Sequence, residues 1–198
     1  MIAETQVYNY FDPAEEKSNV AFAPGNYYGH ITALKEPREV TVRKKYKAKV
    51  YNFVFTVANE TANHTYNKEG IDGNPEEVSG REYVGRDIRS AGIFQFLAPQ
   101  VGDTFKANSG GNRKFVEFCE TAGIVCPEVE IEVDGEKRTV KTIPDCITDI
   151  DVVGKPVIAT VGFGKPWKGD DGVERKSIEV KSILEWKGGK EKETDLPF

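Results

Sequence analysis

Aromatic residues alternate with lysines and arginines in three separate stretches of this sequence. Residues 43–49 of the first stretch contain five cations and no acid. Cations neutralise phosphates and aromatic faces stack on bases, each stack contributing roughly 1–3 kcal/mol, so the pattern favours binding of a single-stranded nucleic acid. The candidate residues are Lys44, Lys45, Tyr46, Lys47, Lys49 and Tyr51 in the first stretch, Arg81, Tyr83, Arg86 and Arg89 in the second, and Lys165, Trp167, Lys168, Arg175 and Lys176 in the third.

Trp167 is the clearest candidate for stacking on a base. It lies in a Pro-Gly loop between Lys165 and Lys168, with few apolar neighbours to bury it. The alternative for this ring is a structural plug at the end of a barrel. Tyr46 and Tyr51 lie in a strand pattern, and a tyrosine in such a pattern, taken alone, is more often a core residue than a stacking platform.

The sequence contains no pattern typical of an enzyme. His30 and His64 lie far apart among neutral residues, and there is no glycine-rich phosphate-binding loop. Asp149 and Asp151 could hold a magnesium ion, but a turn also explains this pair. The cysteines, Cys119, Cys126 and Cys146, lack the two-to-four-residue spacing of a zinc site and predict reduced thiols. We therefore expect no catalytic residues, no metal and no cofactor.

Length and charge set further limits. A chain of 198 residues suits one domain with insertions, or a domain plus a small subdomain. The formal net charge of -5 does not exclude a nucleic-acid partner, because the cations and acids lie in separate segments. No apolar run reaches the 18 residues that a membrane span needs, and the N-terminus lacks the pattern of a signal peptide. A cytoplasmic protein is the expectation.

Strand patterns dominate the first half of the chain. We predict an N-terminal arm over residues 1–24, a short strand over 28–34 and one long strand, or two with a bend, over 40–57. Residues 59–79 are polar, with several glycines, and predict a long loop. Residues 81–97 predict a further β region that is interrupted near Gly92.

The second half predicts one helix and two hairpins. Phe115, Phe118 and Cys119 share one face of a helix over residues 113–122, and Gly123 ends it. Residues 128–143 form a hairpin with an Asp-Gly turn. Residues 157–163 and 174–186 form the last hairpin, in which the inward residues are Ile178, Val180, Leu184 and Trp186.

This order predicts a mainly β fold. A five-stranded OB barrel with one helix between strands three and four has the same order of elements, which here is strand, long strand, strand, helix, hairpin insertion, strand, strand. A β-sandwich with one helix is the alternative. The expected organisation is an arm over 1–24, the OB domain over 25–186 and a flexible tail over 187–198.

The tail ends on a group of residues suited to binding another protein. Lysine, glycine and glutamate over 187–192 predict a tether without a core of its own. A terminal aromatic ring can enter a pocket while its carboxylate pairs with a cation at the pocket mouth. The predicted partner-binding residues are Asp195, Leu196, Pro197 and Phe198.

Asp195-Leu196-Pro197-Phe198 resembles the acidic C-terminal tip of bacterial single-stranded DNA-binding proteins, which end in Asp-Ile-Pro-Phe or close variants. Phage single-stranded DNA-binding proteins also end in an acidic tail with a terminal Phe. The resemblance implies an OB domain that holds DNA, a tip that recruits replication or repair proteins, and a place in bacterial or infected-host cytoplasm. Sliding-clamp-binding peptides end similarly, although their leading Gln is absent here.

Two functional hypotheses follow. The first is binding of single-stranded DNA without sequence preference in replication, recombination and repair. The second is a protein-interaction or virion-associated β domain whose tail docks on a clamp or a shell. No pattern in the sequence distinguishes DNA from RNA.

Overall fold

The computed structural model describes residues 20–44, 46–70, 73–97 and 111–190. Lys45, most of the predicted arm and the tip over residues 195–198 lie outside this part of the chain. The described chain is mainly β, as predicted, and its sheets are antiparallel. None of its helices is long and apolar enough to span a membrane.

The strands and helices are named here in chain order. The strands are β1 (Gly25–Leu34), β2 (Arg38–Val42), β3 (Tyr46–Tyr51), β4 (Phe53–Val57), β5 (Thr65–Glu69), β6 (Pro75–Ser79), β7 (Asp87–Arg89), β8 (Ile93–Phe96), β9 (Glu128–Val133), β10 (Glu136–Lys141), β11 (Pro156–Phe163), β12 (Trp167–Lys168), β13 (Glu174–Arg175) and β14 (Ile178–Glu185). The helices are α1 (Arg113–Thr121) and the single turn α2 (Asp149–Val152). The described chain also contains 3-10 helices at Asn59–Asn63 and Gly80–Tyr83.

A five-stranded sheet with the order β14-β11-β1-β4-β7 forms the centre of the fold. β1 alternates in burial: Tyr27 and Ile31 face the core, whereas Tyr28 and His30 face outward. Gly29 permits the close approach of β1 to β4, since a Cβ there would lie 2.2 Å from the carbonyl oxygen of Thr56. Alternation of this kind is what period-2 strand geometry requires of a sheet with one buried face.

The segment predicted as one long strand, or two with a bend, over residues 40–57 is divided into three strands, β2, β3 and β4. The buried side chains change parity at Asn52, because Val50 is buried before the break and Phe53 and Phe55 are buried after it. The Lys35 amide donates to the Asn52 carbonyl at 2.8 Å and holds this bend. β2, β3 and β8 form a separate three-stranded sheet.

The predicted helix is confirmed as α1. Its buried residues are Phe115, Phe118 and Cys119, and the Phe118 ring lies 5.5 Å from that of Phe53 in β4. Gly123, with a φ of 80°, follows the end of the helix. A left-handed glycine at this position is a common way for a helix to stop.

The hairpin predicted over residues 128–143 is confirmed as β9 and β10, with Asp134 and Gly135 both at positive φ in the turn. The prediction of a long loop over residues 59–79 is wrong in part, because this segment contains a 3-10 helix and the hairpin of β5 and β6. Tyr66 of β5 is buried and stacks on Tyr27 at 4.2 Å. Burial of that ring outweighs the polar composition that predicted a loop.

The last hairpin is confirmed as the pairing of β11 with β14. Val180 is buried and Ile178 packs against the core, as predicted, but the prediction for Leu184 is wrong. A register shift places Val161 opposite Val180 and Thr160 opposite Ser182. The extra residue of a β-bulge reverses the parity of every later side chain. Ile183 is therefore buried, and Leu184 is 49% exposed.

The two edge strands of the central sheet also touch. Ser90, directly after β7, forms a parallel bridge with Val180 of β14. The amide of Ala91 donates to the Val180 carbonyl at 2.9 Å. The β region predicted over residues 81–97 therefore contacts β14, the last strand.

Candidate nucleic-acid interface

Two of the tyrosines predicted to stack on bases lie in the core. Tyr51 and Tyr83 are each 0% exposed. The Tyr51 hydroxyl donates to Gln95 Oε1 at 2.9 Å, and the Tyr83 hydroxyl donates to the Ala21 carbonyl at 3.2 Å. Burial raises the pKa of both phenols. Neither ring presents a face to a base, so both leave the candidate set.

Two of the predicted cations bind within the protein. Arg86 donates to the carbonyl of Val20 at 2.5 Å and lies 4.4 Å from the ring centroid of Phe22. Lys49 donates from Nζ to the carbonyl of Asp145 at 2.9 Å. Arg86 therefore fixes the segment before β1, and Lys49 fixes the segment before α2.

The third predicted stretch forms the small hairpin of β12 and β13, in which Trp167 pairs with Arg175. Trp167 is 53% exposed. The Arg175 guanidinium lies 5.6 Å from the Trp167 ring centroid and forms two hydrogen bonds with Asp171, at 2.9 and 2.5 Å. These bonds lower the pKa of the Asp171 carboxyl. Trp167 thus presents a face to solvent, while Arg175 is already neutralised by an acid.

The other predicted residues that the structure describes are exposed, except for Tyr46. Tyr46 is half-buried, with its ring 6.4 Å from that of Phe96. Lys44 occupies the turn between β2 and β3 with a φ of 58°. The remaining exposed cations are Lys47, Arg81, Arg89, Lys165, Lys168 and Lys176.

A surface cavity of about 380 Å³ gathers cations that the sequence did not identify as a group. Lys35, Arg38 and Arg89 line it together with Glu36 and Asn52. The three cations are exposed, and within the described chain none of them forms an ion pair. Lys35 and Arg38 were not predicted. Their only sequence signal is the placement of two cations around the strand break at Pro37.

The pairing of the strands shows where this cavity lies relative to the β2–β3 turn and the β12–β13 hairpin. Arg89 lies opposite Val54 in the central sheet. The β2–β3 turn lies beyond the end of β8, since Lys47 accepts a hydrogen bond from the amide of Leu97. The β12–β13 hairpin comes directly before β14, and β14 runs parallel to β7. The hairpin therefore lies toward the start of β7, at the opposite end of the sheet from the β2–β3 turn. The basic turn and the exposed tryptophan flank the cavity rather than adjoin each other.

The comparisons with known proteins found no match: no protein-family model fits this sequence, and no curated protein and no solved structure is significantly similar to it. Within residues 20–44, 46–70, 73–97 and 111–190, no group of three or more His, Cys, Asp or Glu side chains is placed to hold a metal ion. Cys119 and Cys126 are buried free thiols, and burial raises the pKa of Cys119 to about 12.

Proposed function

We propose that this protein binds single-stranded DNA without sequence preference. The observation that carries the proposal is the cavity lined by Lys35, Arg38 and Arg89, whose cations have no acidic partner among the described side chains. Unpaired cations on a sheet suit the phosphates of a flexible strand. The exposed ring of Trp167 supplies a face for stacking near one end of the same sheet.

We also infer that the central strands form an OB barrel. Its five strands would be β1, the bent pair β3–β4, the pair β7–β8, β11 and β14, with α1 between the third and the fourth. The parallel bridge between Ser90 and Val180 supports this order, because it joins the third strand to the fifth. OB barrels bind oligonucleotides on the face of strands two and three, between the loop that joins strands one and two and the loop that joins strands four and five. In this arrangement the cavity lies on that face, and the β2–β3 turn and the β12–β13 hairpin are those loops.

The tip Asp195-Leu196-Pro197-Phe198 has a separate role in this proposal. It lies outside the described residues, and its assignment rests on the sequence. An acidic, Phe-terminated segment that binds replication or repair proteins would bring them to DNA held by the sheet. A sliding clamp is one such partner.

Charge removal in the cavity tests the proposed function. The cavity variant replaces Lys35, Arg38 and Arg89 together with Gln. Fluorescence anisotropy with labelled oligo-dT, repeated over a series of salt concentrations, gives affinity and salt dependence. We expect a loss of at least about tenfold in affinity and a decrease of up to about 2 in the salt slope, at roughly 0.7 per phosphate contact.

The control variant makes the same charge change on the β9–β10 hairpin. It replaces Lys137, Arg138 and Lys141 of β10 with Gln, and β10 pairs with β9 in a separate two-stranded sheet. Arg138 forms an ion pair with Glu136, and Lys141 forms one with Glu120 of α1. We expect it to keep the wild-type salt slope. Equal losses in both variants, or none in either, would contradict a DNA site at the cavity, and urea unfolding of each variant verifies that it is folded.

A further inference from the structure

Four aromatic rings form a continuous cluster on the outward face of β1. Tyr28 stacks on His64, with ring centroids 5.1 Å apart and an interplanar angle of 22°. Trp186 meets Tyr28 edge-on at 5.3 Å, and His30 lies 5.7 Å from Trp186. Tyr28, His30 and Trp186 are half-buried and His64 is exposed. We call this set the β1 aromatic cluster.

The backbone around the cluster holds the rings in place. The Thr61 hydroxyl bonds to both the amide and the carbonyl of Tyr28, at 2.9 and 3.0 Å, and so fixes the 3-10 helix that precedes His64. The part of the predicted tail that the structure describes, residues 187–190, turns back on β1. His30 Nε2 donates to the Lys190 carbonyl at 2.9 Å, and the Gly189 amide donates to the Trp186 carbonyl at 3.0 Å.

The cluster differs from the tyrosines of the core. Tyr27, Tyr51, Tyr66 and Tyr83 are all buried, and the hydroxyl of each donates a hydrogen bond to a backbone or side-chain oxygen. The Tyr28 hydroxyl, by contrast, has no hydrogen-bond partner within the described chain. The same holds for the indole N–H of Trp186. Packing and these hydrogen bonds account for the core tyrosines, whereas the polar atoms of Tyr28 and Trp186 lack such partners in the described chain.

Cations flank the cluster. Lys187 directly follows Trp186, and Lys190 is held at His30 through its carbonyl; both side chains are exposed. Glu185 is the adjacent exposed acid on β14. Proteins that bind single strands combine partly exposed aromatic rings with lysines, because bases stack on the ring faces and phosphates pair with the cations.

The cluster and the basic cavity lie on one face of the sheet. Ala33 of β1 is exposed and pairs with Val54, which in turn pairs with Arg89 of the cavity. Tyr28 lies five residues before Ala33 on the same strand, which is about 17 Å at roughly 3.3 Å per residue. A strand of a few nucleotides can therefore reach from the cavity to the cluster.

We propose that the β1 aromatic cluster is a base-stacking site that extends the path of single-stranded DNA beyond the cavity. The inference rests on the proposed function and adds a surface that the sequence patterns did not identify. Tyr28 and Trp186 supply the stacking faces, and Lys187 and Lys190 neutralise the adjacent phosphates. His64 supports the Tyr28 ring from its other side.

The two tryptophans of the chain make a direct test possible. Trp167→Phe leaves Trp186 as the only indole reporter, and Trp186→Phe leaves Trp167. Each full-length variant is titrated with oligo-dT while indole emission and the anisotropy of the labelled oligonucleotide are recorded. We expect oligo-dT to quench Trp186 emission and added salt to restore it.

Substitutions in the cluster give a second readout. Tyr28→Ala and Trp186→Ala are each expected to weaken oligo-dT binding by roughly five- to hundredfold, the range measured for the loss of a stacked base. Tyr28→Phe keeps the ring and should keep the affinity. Leu184→Ala, which removes an exposed aliphatic side chain from β14, is the matched control and should bind as the wild type does.

The outcomes separate this inference from the proposed function. If wild-type protein does not bind oligo-dT, the proposed function fails. If oligo-dT binds and quenches Trp167 but leaves Trp186 unchanged, the stacking site is overturned and the proposed function stands. If Trp186 emission depends on protein concentration without DNA and sedimentation shows a dimer, the cluster is an interface between copies and the inference is also overturned.

Discussion

Ser90 and Val180 form a parallel bridge that brings the two edge strands of the central sheet into contact. The Ser90 backbone pairs with β4 at the same point, since its amide donates to the Phe53 carbonyl at 2.9 Å. Its hydroxyl accepts from the Phe53 amide, also at 2.9 Å. One small residue thus joins β4 to β7 and lies beside the contact with β14.

Ser90→Ala is expected to destabilise the protein by about 1–3 kcal/mol, because the buried Phe53 amide loses its acceptor. Urea unfolding at equilibrium measures the change. Ser182→Ala on β14 is the control, since that side chain is exposed and should change the free energy of unfolding by less than about 0.5 kcal/mol. A Ser90→Ala variant as stable as wild type would show that this bond does not hold the strands together.

Asp171→Asn is expected to strengthen the binding of oligo-dT. Asp171 now pairs with Arg175 beside Trp167, so its neutralisation frees a guanidinium for phosphate. The salt slope should become steeper by about 0.7, the value for one additional contact with a single strand. Anisotropy at several salt concentrations measures both quantities.

Asp170→Asn is the matched control for this change. It removes the same charge from the adjacent exposed residue, and no ion pair of Asp170 exists among the described residues. We expect a smaller gain in affinity and an unchanged slope. Identical effects of the two substitutions would mean that net charge, and not the release of Arg175, determines the affinity.

The elements that local sequence determines were predicted correctly. α1 follows from three apolar residues at helical spacing, and the turn of the β9–β10 hairpin follows from Asp134 and Gly135. The turn between β2 and β3 was missed, because Arg43 and Lys44 adopt positive φ without the glycine or asparagine that usually marks such a turn. The change of buried face at Asn52 has no local signal either.

The candidate site was predicted correctly only where the local composition is enough to show that a side chain is exposed. Trp167 has too few apolar neighbours to be buried, and it is exposed. Tyr51 lies in β3 and Tyr83 ends the 3-10 helix Gly80–Tyr83. The sequence alone does not give the side of the chain on which either ring is buried. Arg89 joins Lys35 and Arg38 only through the bend at Asn52 and the pairing of β4 with β7. Such contacts between distant residues depend on the tertiary fold.

Deletion of residues 195–198 is expected to leave the affinity for oligo-dT equal or slightly higher. We expect the acidic tip to compete only weakly with DNA for exposed cations, so the gain should not exceed about fivefold. Anisotropy of the truncated and full-length proteins measures it, and Phe198→Ala distinguishes loss of the ring from loss of charge. The same deletion should abolish binding of replication or repair proteins that recognise the tip. A large loss of DNA affinity would contradict this division of roles.

Stability should fall at alkaline pH because of the buried tyrosines. Burial raises the pKa of Tyr27, Tyr51, Tyr66 and Tyr83 above the ordinary value, for Tyr66 to about 12. Below about pH 10 the phenols are protonated in both the folded and the unfolded chain and contribute no pH dependence. Above it the unfolded chain loses protons that the folded chain retains. Each tyrosine then lowers the free energy of unfolding by about 1.4 kcal/mol per pH unit, up to its folded pKa.

Urea unfolding across this pH range tests the alkaline loss of stability, with tyrosinate absorbance recorded in parallel. Tyr66→Phe is the informative variant, because it removes one of the titrating groups together with its bond to the Asn26 carbonyl. Its stability at neutral pH should be lower by about 1 kcal/mol, and its decline above pH 10 should be shallower than in the wild type. A free energy of unfolding that stays constant to about pH 12 would show that the phenols ionise as readily in the folded protein as in the unfolded chain.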